Sequence, residues 1–296
     1  MITIGVFGVR GIVGQLMLKQ LEESPYAKDY KVLGFGRQDK PQKVDIAILC
    51  TDETVSPQLA PELKNYAKFV IDMSSYFRQK EGVPLVIPEI NANTITKDTW
   101  LIASPNCTVT GLVLALNPLK KYYTLEEVFS SSYQAISGGG KKLLEEFENP
   151  NSLYRANCVP LIGSVKDNGF TSEELKGIYE AKKILGLPNL RVFSHTVRVP
   201  VKVSHGLTIT LRAKEEFNMQ TLPDILRSQK GVVLDGKVYT NKEVEGRGEA
   251  FISRLRQDIE DKHVIHFWCV CDNLLKGAAL NGRQIADYLF EEFFND

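Results

Sequence analysis

The sequence predicts an α/β protein whose first part is a doubly wound parallel sheet. Short apolar stretches alternate with helix-like stretches over residues 1–103, as in parallel strands that are joined by helices. The first predicted strand, residues 2–7, leads directly into closely spaced glycines and a helix-like stretch. After residue 107 this alternation gives way to longer β-like stretches, which indicates a second domain of different construction.

The composition is that of a globular protein. The chain has 296 residues, of which 43% are hydrophobic and 24% are charged. Lys plus Arg and Asp plus Glu number 36 each, so no overall basic charge favours nucleic acid and no such partner is expected. The first residues lack the basic segment of a signal peptide, and no 18 apolar residues occur in succession, so we expect no membrane association.

The five cysteines, at positions 50, 107, 158, 269 and 271, are scattered and odd in number. This usage indicates reduced thiols in a cytoplasmic protein better than a disulfide framework or a metal site, so we expect no metal. Cys269 and Cys271 lie in one predicted strand and are expected to point to its opposite faces. Packing is the expected role of every cysteine except Cys107.

The first predicted strand is followed by three glycines at three-residue spacing, and then by a helix that reaches about Glu23. Glycines in such a turn permit a tight bend, close approach of the backbone to a pyrophosphate, and packing of the helix on the strand. The pattern therefore predicts a dinucleotide site in this turn. Its residues are Gly8, Arg10, Gly11, Ile12, Val13 and Gly14.

The second predicted strand, residues 30–35, ends in Gly36 and Arg37. Enzymes that prefer NAD usually place an acidic residue here for the ribose hydroxyls, whereas an arginine favours the 2′-phosphate of NADP. Asp39 weakens this prediction, and Arg37 could also be a solvated loop residue. Ser74 and Arg78 follow a later strand, at the sheet edge where ligands bind; Arg78 is either an anion clamp or a solvated side chain.

Cys107 lies between a short apolar strand and an apolar helix that ends at Asn117 and Pro118. Asn106 is a good N-cap, which places Cys107 in the first helical turn. The N–H groups and the helix dipole there stabilise a thiolate, so we expect the cysteine pKa to fall below about 8.5. Cys107 is therefore a candidate nucleophile, with a buried structural cysteine as the alternative.

Further along the chain, Gln134 precedes the glycine-rich segment Ser137–Gly140. Its glycines either let the backbone approach a ligand or form a flexible start to the following helix. Glu173 and Lys176 lie at i,i+3 in a predicted helix, which by itself indicates a surface ion pair. His205 precedes a glycine at a strand junction and is a candidate acid/base, although a lone loop histidine is more often incidental.

Arg198 and His205 raise a geometric question, because a fully extended chain would separate them by roughly 23 Å. Both can reach one small substrate only if the chain bends at Pro200 or at the Ser204–Gly206 segment.

Eight stretches, spread in order over the whole chain, resemble the signatures of the aspartate-semialdehyde dehydrogenase family. They are GVRGIVGQ, IDMSSYFR, PEIN, SPNCT, SYQAISGGG, NGFTSEELK, VRVPVKVSHG and DNLLKGAALN. The resemblance implies a Rossmann-like NADP-binding domain of residues 1–106, completed by a C-terminal helix in residues 274–296. It also implies an α+β catalytic and dimerisation domain of residues 107–273 with a mixed sheet, and a homodimer, with a tetramer as the alternative.

The resemblance further implies a role for each candidate residue. Cys107 would be the nucleophile, His205 the acid/base, and Gln134 the residue that orients the acyl intermediate. Arg198 would bind the substrate carboxylate and Glu173 its ammonium group. Phosphate would be bound by Arg78, Lys176 and Asn106. Further cofactor contacts would come from Ser74, Ser137, Gly138 and Asn273.

The implied reaction is the NADPH-dependent reduction of β-aspartyl phosphate to aspartate semialdehyde and phosphate through a cysteine thioester, in the biosynthesis of lysine through diaminopimelate, of threonine and of methionine. One alternative is N-acetyl-glutamyl-phosphate reductase, against which Glu173 argues because it suits a free ammonium. Another is an inactive relative that serves as a binding protein, against which the intact set of candidate residues argues.

Only eight residues, Gly36 to Lys43, separate the second and third strands, which leaves the choice between NADP and NAD open.

Overall fold

The computed structural model describes residues 1–295 and divides into two compact units. Unit 1 comprises residues 1–105 and the C-terminal segment that starts at Ala278, and unit 2 comprises Asn106–Gly277. The sequence predicted these divisions after residue 106 and after residue 273; in the structure they fall after Pro105 and after Gly277.

Unit 1 is built on a five-stranded parallel sheet. Its strands are β1 (Ile2–Phe7), β2 (Tyr30–Phe35), β3 (Ile46–Leu49), β4 (Phe69–Asp72) and β5 (Leu101–Ala103). They lie in the order β2-β1-β3-β4-β5. The connecting helices are α1 (Ile12–Glu22), α2 (Ser56–Leu63) and α3 (Pro88–Asn91). This arrangement confirms the predicted doubly wound fold, whose strand order changes direction between β1 and β3, where ligands of such sheets bind.

The C-terminal helix α8 (Leu280–Phe293) belongs to unit 1 and follows a π-helical turn, Leu275–Ala279. Its residues Ile285, Leu289 and Phe290 share one buried core with Met17 and Leu21 of α1. A second core, which includes Ala60 and Leu63 of α2, lies on the other face of the sheet. Two cores on two faces are what a doubly wound sheet requires.

Unit 2 is built on a six-stranded mixed sheet. In chain order its elements are α4 (Cys107–Leu116), β6 (Leu125–Gln134), α5 (Gly140–Glu148), α6 (Ser172–Leu185), β7 (Arg191–Arg198), β8 (His205–Ala213), α7 (Leu222–Arg227), β9 (Val232–Val233), β10 (Ala250–Gln257) and β11 (Val264–Cys271). The strand order is β7-β6-β8-β11-β10-β9, in which β6 pairs with β7 in parallel and with β8 antiparallel. The expected mixed sheet is confirmed.

Helix α4 packs on the sheet through Gly111, and this contact corrects one prediction. A Cβ on Gly111 would lie 3.4 Å from the Cβ of Cys271 and 3.6 Å from the Sγ of Cys269. The two cysteines therefore share one face of β11, and the prediction that they face opposite sides is wrong, because residues two apart in a strand point the same way.

Helix α6 begins with a complete capping box. The Thr171 side chain accepts a hydrogen bond from the Glu174 N–H, and the Glu174 carboxylate accepts one from the Thr171 N–H. Gly186, with φ +67°, ends the helix in the left-handed conformation that glycine favours. These two signals fix the ends of the helix that carries Glu173 and Lys176.

Among the described residues, no helix is both long and apolar enough to cross a membrane.

Leu289→Ala should destabilise the protein, because Leu289 is fully buried in the core that α8 shares with α1. We expect its free energy of unfolding to fall by about 2–5 kcal/mol, measured by urea denaturation with circular dichroism. Glu292→Ala, on the exposed side of the same helix, is the control and should leave the urea midpoint unchanged. Equal midpoints for both variants would contradict the packing of α8 in this core.

Candidate active site

The N-terminus of α4 holds the candidate nucleophile. Asn106 is the N-cap, since its Oδ1 accepts a hydrogen bond from the Thr108 N–H at 2.9 Å, and Cys107 is the first helical residue, as predicted. Gly277 lies against the cysteine: a Cβ there would be only 2.7 Å from the Cβ of Cys107. The side chain of Cys107 is therefore held at the positive end of the helix dipole.

His205 lies next to Cys107. Its Nε2 is 3.2 Å from the Cys107 Sγ, and its Nδ1 accepts a hydrogen bond from the Ala135 N–H at 3.0 Å. The ring is almost fully buried. Burial, together with the nearby positive charge of Arg198, lowers the pKa of His205 to about 3.

The side chains of Arg198 and His205 both lie next to Gly138. A Cβ on Gly138 would lie 2.9 Å from the Nη1 of Arg198 and 3.1 Å from the Cε1 of His205, so only glycine leaves room for both side chains. Arg198 Nη1 also donates to the Ala135 carbonyl at 2.7 Å. A substrate-sized group could therefore contact the guanidinium, the imidazole and the thiol together.

The sheet explains how two residues seven positions apart converge. Arg198 ends β7 and His205 begins β8, and both strands pair with β6, whose last residue, Gln134, lies opposite Arg198. The chain reverses between them, in residues 199–204, and Ser204 has φ +73° at the end of this loop. The bend that the sequence required thus lies in residues 199–204, and β7 is an edge strand of the sheet.

Glu173 is the centre of a buried polar cluster. Its Oε1 accepts hydrogen bonds from Asn106 Nδ2 at 3.0 Å and from Gln134 Nε2 at 3.2 Å, and its Oε2 accepts one from Lys176 Nζ at 3.1 Å. Burial alone would raise the pKa of Glu173. The charge of Lys176 and the three hydrogen bonds outweigh it and lower that pKa, so the carboxylate stays ionised. The side chain is only 10% exposed, which excludes a simple surface ion pair.

The remaining unit 2 candidates support the backbone around His205. Asn273 Oδ1 accepts the Ser204 N–H at 2.8 Å, and Asn273 Nδ2 donates to Ser137 Oγ at 3.0 Å. Gln134 Nε2 donates to Ser132 Oγ as well as to Glu173, so both acceptors of its amide N–H groups belong to the protein. Its side-chain carbonyl oxygen is the part of the amide that can accept a hydrogen bond from a ligand.

Two residues that support the site, Glu180 and Ala135, were not predicted from the sequence. Glu180, 1% exposed in α6, accepts the backbone N–H of Asn106 at 2.7 Å and so holds the start of α4. It lies seven residues after Glu173, on the same helix face, a spacing that could have drawn attention to it. Ala135 acts through its backbone alone, which no residue pattern reveals.

The glycine turn of unit 1 fits a dinucleotide. Gly8 has φ +87°, and a Cβ on it would lie 2.5 Å from the Cys50 carbonyl oxygen; one on Gly14 would lie 2.3 Å from the Gly8 oxygen. Gly11 is the N-cap of α1 and makes no side-chain hydrogen bond to it. The backbone N–H groups in the first turn of α1, at Ile12 and Val13, are therefore suited to bind a pyrophosphate.

Two arginines lie near the end of β2. Arg10 is exposed, and a Cβ on Gly36 would lie 3.6 Å from its Nε. The Gly36 N–H donates to the Asp39 carboxylate at 2.6 Å. Arg37 is exposed as well; its charge contributes to the lowered pKa of Asp52, after the larger effect of hydrogen bonds from Thr54. Both cations are accessible to a phosphate.

Arg78 is not a solvated loop residue. It is buried, and it donates from Nε to the Ser104 carbonyl at 2.9 Å and from Nη2 to the Met73 carbonyl at 3.1 Å. Ser74 Oγ donates to Asp72 at the carboxyl end of β4. These contacts hold both candidates at the edge of the sheet where ligands of this fold bind.

The chain matches two family models and several full-length relatives. The model of the semialdehyde dehydrogenase dimerisation domain matches residues 116–276, and that of the semialdehyde dehydrogenase NAD binding domain matches residues 28–98. The aspartate-semialdehyde dehydrogenase of Bacillus subtilis is 31% identical over 97% of this chain and 96% of its own length. That of Rickettsia conorii is 34% identical over 98% of both chains.

Solved structures are similar over the full length. The crystal structure of aspartate semialdehyde dehydrogenase II from Vibrio cholerae, complexed with ASA, superimposes with a TM-score of 0.92 at 27% identity and covers 99% of both chains. The structure of the enzyme from Francisella tularensis gives 0.88 at 22% identity, with 98% of this chain and 100% of that chain covered. Together with the full-length sequence relatives, these results show that the chain belongs to the aspartate-semialdehyde dehydrogenase family.

Proposed function

We propose that this protein reduces β-aspartyl phosphate to aspartate semialdehyde and phosphate with NADPH, in the biosynthesis of lysine through diaminopimelate, of threonine and of methionine. The observation that carries the proposal is the 3.2 Å contact between Cys107 Sγ and His205 Nε2 at the start of α4. It places a nucleophilic sulfur and a ring nitrogen at one point, beside the buried Arg198.

In this reaction the Cys107 thiolate attacks the acyl carbon, phosphate leaves, and a thioester results. Sulfur suits this step because a thiolate both attacks and leaves well. The N–H groups at the start of α4 stabilise the negative charge that develops on the acyl oxygen. Gln134 orients the acyl group, and His205, whose Nε2 is 3.2 Å from the Cys107 Sγ, is the acid/base.

The substrate carries both signs of charge, and so does the site. Arg198 offers a planar guanidinium for the carboxylate. Glu173 is ionised and accepts three hydrogen bonds, which leaves capacity for an ammonium, since a carboxylate has about four acceptor positions. We assign the phosphate to Lys176, Asn106 and Arg78.

The cofactor contacts are assigned to both units. Residues 1–106 with the C-terminal helix, residues 274–296, form the NADP-binding domain, and residues 107–273 form the catalytic and dimerisation domain. NADPH supplies the hydride when it is bound. In unit 1 its contacts are Gly8, Arg10, Gly11, Ile12, Val13, Gly14, Arg37 and Ser74. In unit 2 they are Ser137, Gly138 and Asn273.

The alternatives are less well supported. An N-acetylated substrate has no ammonium group for the ionised Glu173, and the relatives compared above are named aspartate-semialdehyde dehydrogenases. An inactive binding protein would not need Cys107, His205 and Arg198 to converge. The five cysteines are free thiols, which supports a location in the reducing cytoplasm.

We also infer a homodimer formed through one face of the unit 2 sheet. Phe129 and Phe193 stack there at 4.3 Å, next to Thr210 and His266 in the same cross-strand row, and Phe129 is 44% exposed. A cavity of about 470 Å³ opens on this face beside Trp268. Helices α4 and α6 pack on the opposite face, so a second copy of the chain is the partner that would cover these aromatic rings.

Cys107→Ala should abolish phosphate-dependent reduction of NADP by aspartate semialdehyde, with a loss on the order of 10³ or more, because no other group can form the thioester. The rate is followed by NADPH absorbance with and without phosphate. Cys158→Ser, at an exposed cysteine, is the control and should retain the wild-type rate. Wild-type activity with only the N-acetylated glutamyl analogue would refute the substrate assignment.

Arg37→Ala should lower kcat/KM for NADP about tenfold or more and leave the value for NAD unchanged, because only NADP carries the 2′-phosphate. Lys43→Ala removes the same charge at the other end of the sheet, beside Thr3, and should affect neither cofactor. If the wild type uses NAD and NADP with equal kcat/KM, Arg37 has no role in cofactor choice.

Phe129→Glu should convert the dimer to a monomer, since it places a charge in the apolar part of the proposed interface. Light scattering after size-exclusion chromatography measures the mass. Tyr122→Glu, at an aromatic residue of unit 2 that is 63% exposed and lies outside this sheet, should leave the dimer intact. A wild-type chain of monomer mass would contradict the inference.

A further inference from the structure

Ser204, the residue directly before His205, has an unusual backbone conformation. Its φ is +73°, in the left-handed region that residues other than glycine rarely adopt. Ser204 is fully buried, and its hydroxyl has no hydrogen-bond partner among the described residues, so its own side chain does not explain the conformation. Such a conformation persists only where the surrounding structure holds it.

Two asparagine side chains hold the Ser204 backbone, one on each side of its Cα. Asn273 Oδ1 accepts the Ser204 N–H at 2.8 Å, and Asn241 Nδ2 donates to the Ser204 carbonyl at 2.6 Å. Because each peptide group is planar, the first bond fixes the plane that enters Ser204 and the second fixes the plane that joins it to His205. The two side chains together therefore set φ and ψ of Ser204, and with them the direction in which β8 begins.

Asn241 lies in the loop between β9 and β10, and this loop is anchored on both sides of it. Before it, the Tyr239 N–H donates to Ser253 Oγ at 3.1 Å, and the Tyr239 carbonyl accepts the Trp268 indole N–H at 3.0 Å. After it, the side chain of Val244 is fully buried. A loop held in this way keeps the Asn241 amide in place against the Ser204 carbonyl.

We propose that Asn241 is a positioning residue of the proposed reaction, and that it acts through the Ser204 carbonyl on the placement of His205. The inference deepens the proposed function and rests on it for the reaction in which His205 is the acid/base. The placement matters because His205 Nε2 lies 3.2 Å from the Cys107 Sγ. Proton transfer requires heavy atoms within hydrogen-bonding reach, so a ring displaced by about 1 Å loses rate while the substrate still binds.

Asn241→Ala should lower kcat for the phosphate-dependent reduction of NADP by aspartate semialdehyde about tenfold or more, and leave KM for the semialdehyde within about twofold. Lys242→Ala, at the exposed next residue of the same loop, is the matched control and should retain the wild-type kcat. Asn241→Asp keeps the size of the side chain but cannot donate to a carbonyl, so it carries the same test if the alanine variant does not fold. A lower urea midpoint with a wild-type kcat is the result of a purely structural role and would overturn the proposal.

A second substitution tests whether Asn241 acts through the Ser204 backbone. Glycine adopts a positive φ without strain, so a glycine at this position depends less on the hydrogen bond from Asn241. Ser204→Gly should therefore raise the kcat of Asn241→Ala several-fold, and it should not raise the kcat of Lys242→Ala. A double variant no faster than Asn241→Ala would contradict the proposed route through Ser204.

Asn241 also lines the cavity beside Trp268, on the sheet face of the proposed dimer. A role limited to that interface would change the mass of the protein, and activity would return at concentrations where the dimer re-forms. Light scattering at the assay concentration should instead give Asn241→Ala the wild-type mass. A monomeric Asn241→Ala that regains the wild-type kcat on dimerisation would overturn the proposal.

The environment of His205 can also be followed without substrate, by NMR of the protein with ¹³C-labelled histidine. The chain has four histidines, and His205→Asn identifies the His205 ring resonance. We expect Asn241→Ala to shift this resonance and Ser204→Gly to return it towards its wild-type position, while His195, whose side chain is 77% exposed, is unaffected. An unchanged His205 resonance in Asn241→Ala would refute the positioning role. If the resonance responds as expected and the wild type shows no activity with aspartate semialdehyde, the proposed function fails and the role of Asn241 stands.

Discussion

The geometry of the unit 2 site depends on the backbone of Ala135. Its N–H binds His205 and its carbonyl binds Arg198, so two side chains from different strands are fixed by one residue. Ala135 follows β6 directly, and β6 lies between β7 and β8 in the sheet. The register of these three strands therefore delivers Arg198, Ala135 and His205 to the same edge. A one-residue slip of either pairing would turn a functional side chain to the opposite face.

Burial and the partners of each group together determine the charges within this arrangement. Glu173 is kept ionised by Lys176 and by amide donors, Arg198 remains cationic beside a carbonyl, and His205 is kept neutral. Buried charges that lack partners are expensive, so each charge here has a partner supplied by the protein before any substrate arrives. The site is thus prepared for a molecule with both an anionic and a cationic group, and it needs little rearrangement to bind one.

Local signals in the sequence predicted the local structure well. The glycine turn and the N-cap that places Cys107 each depend on a few neighbouring residues, and both are found as predicted. The convergence of Arg198 with His205 could only be stated as a requirement, because the reversal in residues 199–204 depends on pairing with β6.

The environment of a side chain was the least predictable property. Glu173 and Lys176 have the spacing of a surface ion pair, and that spacing does not reveal that their helix faces the nucleophile. The contribution of Ala135 carries no side-chain signal at all. The family resemblance gave candidate roles for Glu173 and Lys176. The contacts that set the environment of each side chain depend on how the strands and helices pack, and they are seen only in the structure.

Asn106 shows why one residue type is required at the start of α4. Serine, threonine and aspartate are also good N-caps, since each can accept the N–H two or three residues later. Asn106 does more, because its Nδ2 donates to Glu173 and its backbone N–H donates to Glu180 while Oδ1 accepts from Thr108. Aspartate would place a third carboxylate against two others, and serine is too short to reach Glu173. Only the amide caps the helix and satisfies a buried carboxylate with the same side chain, and the residue that follows it is the nucleophile.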